Sequence, residues 1–393
     1  MTGTPSNIPV AFIGAGNRAR KYISCLPECA HVRYLVDPEP LRLQIAADIC
    51  GVPEGNCFSS AAEFYSARRD VAAVIVAAPD RLHVPLAIPA VERGWHVLLE
   101  KPVAPCEEDY ISLMDAAART GAHVGVCLEM RFHPFFRRIK QIYDSGVLGR
   151  VSEIDHTEHI GPDRMAHTFV RGLWSRTEDS GPIFLSKCSH DADFLLWLTG
   201  EDVLTVSSSG RIAKFLPDPT APAFCIDCNR TDCPYSAVRL YKVRGEWTSG
   251  FDVPPGGSLS EVIDAELRGG RYGRCVYHCN NDVYDTQDVD AVLTGGITLH
   301  MHLEGTSMME GRSTVIRGSA GTLESDGSRI RVVNTAGECV LDEDYSALAA
   351  LPLHAGADQA LLEDFFGSVA AGRVPASSLE SAFAGHKLCW LAK

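Results

Sequence analysis

The feature that most restricts what this chain can fold into lies at its start, where the apolar, β-rich run Ile8–Ile13 passes directly into Gly14-Ala15-Gly16 and residues 18–26 then have helical character. A strand, a tight glycine turn and a helix in that order open a βαβ unit, which requires a parallel sheet with right-handed crossovers. The alternation continues: strands are expected at 31–36, 71–77, 95–99 and 122–128, and helices at 38–50, 61–68, 80–93 and 107–119. Residues 71–77 (VAAVIVA) are apolar enough to be buried on both faces, as a central parallel strand is. Residues 1–128 are therefore expected to form a doubly wound α/β domain.

Beyond a helix at 135–143 the pattern changes. Residues 151–159 alternate like a half-buried strand, and 291–303, 313–317, 321–324 and 329–333 follow one another without helices, with Asp326-Gly327 as a hairpin signal. They predict an antiparallel meander, so residues 129–393 are expected to form a second domain on a large, open, mainly antiparallel sheet. A Cys-rich insertion around 215–280 interrupts this domain. Helical patterns at 357–370 and 379–391 close it, the last running almost to Lys393. An open sheet with one uncovered face predicts a homodimer or homotetramer.

Charge and hydropathy exclude several classes. The net charge is −14 with no basic block, which excludes nucleic acid as an expected partner. The longest apolar run, 71–79, is far short of the roughly 20 residues a membrane span needs. Residues 1–7 have neither a charged nor an apolar leader region, so a cytoplasmic location is expected. In that compartment the 14 cysteines point to free thiols or a metal site, not to a disulfide framework.

Gly14-Ala15-Gly16-Asn17-Arg18-Ala19 fits G-x-G-x-x-[G/A]. The first glycine permits the turn, the second lets a pyrophosphate approach the backbone, and the small last residue lets helix pack on strand. Asp37 ends the second strand 23 residues after Gly14, where a carboxylate accepts hydrogen bonds from the adenosine ribose, or else caps the following helix. Pro38-Glu39 follows it, so a 2′-phosphate would meet negative charge; NAD is expected over NADP. Two further segments, Ala78-Pro79-Asp80-Arg81-Leu82-His83 and Glu100-Lys101-Pro102, follow strands on the sheet edge where α/β proteins bind ligands.

With these segments and Cys188-Ser189-His190-Asp191-Ala192-Asp193, the chain resembles the Gfo/Idh/MocA family of nicotinamide-dependent sugar and polyol oxidoreductases over most of its length. The resemblance implies a Rossmann domain with Ala78, Pro79, His83, Glu100 and Lys101 at the cofactor. It places Lys101 at the nicotinamide, bonded to the substrate hydroxyl, with a cis peptide before Pro102 and with His190 facing the substrate. Many members carry an aspartate four residues before that histidine; here Ser186 stands there and Lys187 follows, which makes Lys187 a candidate second polar contact. A partly desolvated lysine beside a positive nicotinamide is expected to lose its proton near neutrality and serve as a base. The H-x-x-D spacing puts His190 and Asp193 on one helical face, so Asp193 is expected at the substrate beside His190, though a histidine at a helix start is also readily satisfied by backbone. Residues 167–176 resemble a substrate-facing loop of one subgroup, in which His167, Arg171 and Trp174 suit a polyhydroxylated ring or else pack the loop; Arg131 is a weaker candidate of that kind.

The insertion carries Cys225-x2-Cys228-x4-Cys233, with Cys275 and Cys279 further on. Three of these thiolates with Cys279, or with Cys275 as the alternative fourth ligand, match a structural zinc; packed reduced thiols match as well. The expected activity is NAD-dependent hydride transfer to or from a hydroxyl-bearing ring carbon of a sugar, cyclitol or glycoside. The alternatives are a glycoside-cleaving enzyme that retains NAD for transient oxidation and elimination, and a non-catalytic dinucleotide sensor.

Overall fold

The computed structural model describes residues 7–66 and 70–393. Residues 1–6, on which the expectation of no secretory leader rests, lie outside it, as does the end of the helix expected at 61–68. The chain runs β1 (Ile8–Ile13), α1 (Asn17–Ser24), β2 (Ala30–Val36), α2 (Pro40–Cys50), β3 (Cys57–Phe58), α3 (Ala61–Ser66), β4 (Ala73–Val76), α4 (His83–Val91), β5 (His96–Leu99), α5 (Glu107–Thr120) and β6 (Val124–Val126). It continues through α6 (Pro134–Asp144), β7 (Val151–His159), α7 (Ile183–Thr199), β8 (Val203–Arg211), α8 (Leu259–Gly269), β9 (Thr286–Leu293), β10 (Thr298–Glu304), β11 (Gly311–Gly318), β12 (Gly321–Ser325), β13 (Arg329–Asn334), β14 (Cys339–Asp344), α9 (Ala357–Ala371) and α10 (Leu379–Leu391). Among the described residues no helix is long and apolar enough to cross a membrane.

Two compact units result. The first comprises residues 1–138, 192–199 and 347–390; the second comprises 139–191, 200–346 and 391–393. Where a single boundary after Leu128 is expected, the chain returns to the first unit twice. The cause is apolar packing: Leu361, Leu362, Phe365 and Phe366 of α9 belong to the same buried cluster as Val10, Phe12, Ile75 and Leu98. Gly125 in β6 leaves room for Phe365, since a Cβ there would lie 2.9 Å from its ring.

In the first unit six parallel strands take the order β3-β2-β1-β4-β5-β6. The order reverses between β1 and β4, so the loops after these two strands open the crevice in which such sheets bind ligands.

In the second unit the order is β14-β13-β12-β11-β7-β10-β9-β8. All neighbours are antiparallel except β7 and β10. The expected meander is thus corrected in two ways. Residues 291–303 form the end of one strand, a hairpin and the start of the next, and β7 inserts between β10 and β11 instead of leaving them paired. On β9 the alternate residues Asp288, Asp290 and Val292 are exposed while Val289, Ala291 and Leu293 are buried, so one face of the sheet is open. Between β8 and β9 the insertion builds a small core of its own from Leu240, Tyr241, Phe251, Ile263 and Leu267 with Cys225 and Cys275.

Candidate active site

The glycine turn of the first unit is built for close approach. Gly14 has φ +98°, and a Cβ on it would lie 2.2 Å from the Ala77 carbonyl oxygen, so no other residue fits. Gly16 caps α1 and leaves open space where a Cβ would project, and no side chain caps the first turn. The N–H groups of that turn are left to receive an oxyanion. Asp37, nearly buried, accepts from Ala15 N through Oδ2 at 2.8 Å and from Glu39 N through Oδ1 at 2.9 Å. It locks the glycine turn to the end of β2, and each oxygen keeps a lone pair for a hydroxyl donor. These residues fit a dinucleotide.

Three residues expected at the cofactor have another task. Arg18 turns inward, its Nε donating to Glu100 Oε1 at 2.7 Å and its Nη2 to Asp358 Oδ1 at 2.7 Å. Glu100 Oε1 also accepts from Tyr22 Oη at 2.6 Å, and its Oε2 accepts from Lys101 N at 3.1 Å. Burial pushes the Glu100 carboxyl up, but the Arg18 charge and the Tyr22 and Arg18 hydrogen bonds hold it below the usual carboxylate range. His83, buried, spans the Pro102 and Ala78 carbonyl oxygens at 2.7 and 2.8 Å. Their intramolecular partners direct these side chains to the segment that carries Lys101.

That segment is pinned at three successive residues. Lys101 N is held by Glu100, Pro102 O by His83, and Val103 N donates to His386 Nε2 at 3.0 Å. His386 is fully buried and donates from Nδ1 to Ala382 O at 2.9 Å; burial lowers it to about 4, so it stays neutral and can accept from Val103. The Lys101-Pro102 peptide is cis, and Lys101 itself is half-buried.

Arg131 and Asp193 form a buried bidentate pair, Nε to Oδ2 at 2.8 Å and Nη2 to Oδ1 at 2.6 Å. Arg131 also donates to Ser381 Oγ and Ala376 O. The structure thus gives both residues to each other and to α10, where substrate contact is expected from their positions in the sequence.

In the second unit His190 sits on α7, partly exposed, one turn after Ser186 and Lys187. Ser186 is buried and donates to Ile183 O at 3.4 Å. Lys187 pairs with Glu158, part of a buried network. Arg312 Nε lies 2.9 Å from Glu158 Oε2 and 2.5 Å from Asp191 Oδ1; His156 Nε2 lies 3.0 Å from Asp191 Oδ1, and its Nδ1 lies 2.9 Å from Thr314 Oγ1. Burial pushes the Asp191 carboxyl up, but Arg312 and the His156 hydrogen bond hold it well below its ordinary range. Glu158, Asp191, His156 and Arg312 were not singled out from the sequence. The available signal is the alternation of β7, which places His156 and Glu158 on the buried face with Ile154, opposite Thr314 and Arg312 of β11.

The expected substrate loop is tied to the insertion. His167 stacks on Tyr272 with centroids 4.5 Å apart, and its Nδ1 lies 2.8 Å from Tyr241 Oη; burial lowers it to about 4. Arg171 donates from Nε to Arg274 O at 2.6 Å and from Nη2 to Tyr235 O, with Cys225 Sγ 3.5 Å away. Trp174 is half-buried beyond the Gly172 turn. Of the cysteines, Cys225 is hydrogen-bonded with Cys275, which with Arg171 holds the Cys225 thiol below its usual range. Cys279 Sγ donates to the Cys275 carbonyl at 3.2 Å. Tetrahedral zinc needs sulfurs about 3.8 Å apart. Among the described residues no three of Cys225, Cys228, Cys233, Cys275 and Cys279 bring their sulfurs within 4.8 Å of one another, so the thiols present do not fit a zinc site. Cys225, Cys275 and Cys279 are instead directed to the backbone or to another thiol, as in a packed reduced core.

Residues 8–128 match the model of the oxidoreductase family with an NAD-binding Rossmann fold, and residues 136–324 match that of the GFO/IDH/MocA C-terminal domain. YteT of Bacillus subtilis (strain 168), named as an oxidoreductase, is 26% identical over 91% of this chain and 88% of its own length. An inositol 2-dehydrogenase of Corynebacterium glutamicum (strain R) is 24% identical over 51% of this chain and 56% of its own. Among solved structures, an oxidoreductase from Agrobacterium radiobacter in complex with NAD+, L-tartaric acid and magnesium shares the fold, with TM-score 0.72 and 15% identity over 98% of this chain and 94% of its own. The glycine turn, the Glu100-Lys101-Pro102 segment after β5 and the two matching domain models together place this chain in the Gfo/Idh/MocA family of NAD-binding oxidoreductases.

Proposed function

We propose that the protein is a dehydrogenase that moves a hydride between NAD and a hydroxyl-bearing ring carbon of a sugar or cyclitol, working as a cytoplasmic homo-oligomer. The observation that supports this most is the triple pinning of residues 101–103, which fixes the backbone from which one half-buried lysine projects. Such rigidity suits a residue that must meet a reacting hydroxyl in one geometry. Bound NAD supplies the hydride acceptor. Lys101 takes the proton from the hydroxyl as the carbon is oxidised, and His190 takes part in the same step. Gly14, Gly16, Asn17 and Asp37 hold the dinucleotide, with Ala78 and Pro79 lining it. Arg18, Glu100 and His83 act as positioning residues behind Lys101. Lys187, neutralised by Glu158, sets the charge beside His190. The open face of the second sheet supports assembly of like subunits.

The test is a panel of aldoses, sugar acids and inositols with NAD, followed by NADH absorbance. Net NADH formation with a free polyol is the expected result. Cleavage of a glycoside with no net NADH would support the retained-cofactor chemistry instead, and inertness to the whole panel with NAD bound would support a sensor.

A further inference from the structure

A polar cavity of about 270 Å³ lies wholly within the second unit, between the 170–179 loop and the end of the insertion. Four arginines line it, Arg171, Arg176, Arg271 and Arg274, against two carboxylates, Glu178 and Asp179. Their pairing is incomplete. Arg176 is engaged by Glu178 at 3.3 Å, by Asp282 at 3.4 Å and by the Asn280 carbonyl at 2.8 Å, whereas among the described residues the Arg274 side chain has one hydrogen bond, to the His278 carbonyl at 3.3 Å. Among the described residues the Arg271 side chain has no hydrogen-bond or ion-pair partner. Arg171 is the sharpest case. It is 2% exposed, and although its Nε and Nη2 are occupied by backbone carbonyls, its Nη1 has no acceptor. That Nη1 is closed to solvent, so Arg171 gives the cavity wall its positive charge and leaves the hydrogen bonding of an incoming oxyanion to Arg176, Arg271 and Arg274.

We propose that this cavity is an oxyanion-binding site for a small polyhydroxylated ligand carrying a carboxylate or a phosphate. The shared chemistry is a planar or tetrahedral oxyanion facing guanidinium donors, which such groups bind with charge-assisted hydrogen bonds. The volume admits a monosaccharide-sized ligand and not a dinucleotide. Asp179 and Glu178 at the same wall are acceptors for its hydroxyls. The proposal adds a ligand class to the loop that carries Arg171, which is expected to face the substrate, and because every residue named lies outside the Lys101 segment its failure and that of the dehydrogenase reading are distinguishable.

Calorimetric titration of the full chain at low ionic strength tests it, with D-glucuronate, D-glucose 6-phosphate, inorganic phosphate and D-glucose as probes. At least one of the sugar anions binds tenfold or more tighter than D-glucose, and added salt weakens it. Arg271→Gln, at an exposed position, weakens that binding fivefold or more, and Lys101→Ala leaves it unchanged. Preference for glucuronate assigns a carboxylate source. Equal binding of glucose 6-phosphate and inorganic phosphate assigns the phosphate group alone. Anion binding no tighter than D-glucose, or unaltered in Arg271→Gln, or lost in Lys101→Ala, overturns the proposal.

Discussion

At the scale of single residues, the account turns on where carboxylates spend their lone pairs. Asp37 is anchored by two backbone N–H groups, yet its remaining lone pairs suit ribose hydroxyls and its charge opposes a 2′-phosphate. NAD should therefore bind at least tenfold tighter than NADP, about 1.4 kcal/mol or more, by titration of the free protein; equal affinities would remove Asp37 from the cofactor. Asp193 presents the opposite case. Its carboxylate is committed to Arg131, and removing one partner of a buried pair leaves an uncompensated charge, so Asp193→Ala should cost about 3 kcal/mol in urea unfolding. A loss below about 1 kcal/mol would show that the pair is not the tie it looks to be. The H-x-x-D spacing made Asp193 look like a ligand contact. What decides its role is Arg131, 62 residues earlier, and no local pattern reports such a partner.

At the scale of elements, the parallel sheet was legible because its central strands β1 and β4 are buried on both faces and therefore apolar throughout, and because Gly14 has no substitute in its turn. The two-residue β3 carries too little pattern to read. The neighbours of β7 were not legible either, since pairing with β10 and β11 is a long-range choice that alternation cannot express. The Lys101 segment combines the two situations: its sequence marks it, but its clamps come from α4 and α10. The α10 clamp has a testable pH signature. His386 titrates at about 4 in the folded protein against 6.5 ordinarily, so above 6.5 it contributes nothing to pH dependence. Between 6.5 and 4 the unfolded chain takes up a proton that the folded one refuses, and stability falls as pH falls, by up to about 3 kcal/mol, levelling below 4. His167 adds a change of the same sign. Urea midpoints from pH 7 to pH 4 should fall less steeply in His386→Gln than in the wild type; parallel curves would mean that His386 is charged in the native state.

At the scale of the molecule, the sequence announced two kinds of sheet, and the chain delivers both, but it threads α9 and α10 back into the first unit. Gly14 and Gly16 could be read directly, because the backbone geometry of the turn demands them, and Glu100-Lys101-Pro102 by its resemblance to the family. The network beside His190 could not, because Glu158, Asp191, His156 and Arg312 come together from α7, β7 and β11 only after folding. The thiols of the insertion left zinc and a packed reduced core both open, because spacing brings sulfurs near only in sequence; the structure turns Cys225, Cys275 and Cys279 to backbone acceptors and to one another. The central claim is that Lys101 is a base held on a rigid platform, separate from dinucleotide binding. Single-turnover formation of NADH by Lys101→Ala, on a polyol that the wild type oxidises and with NAD affinity titrated in parallel, tests it most directly. The account predicts a rate lower by roughly 10² or more with NAD affinity nearly unchanged; a near-normal rate, or a rate lost together with NAD binding, would contradict it.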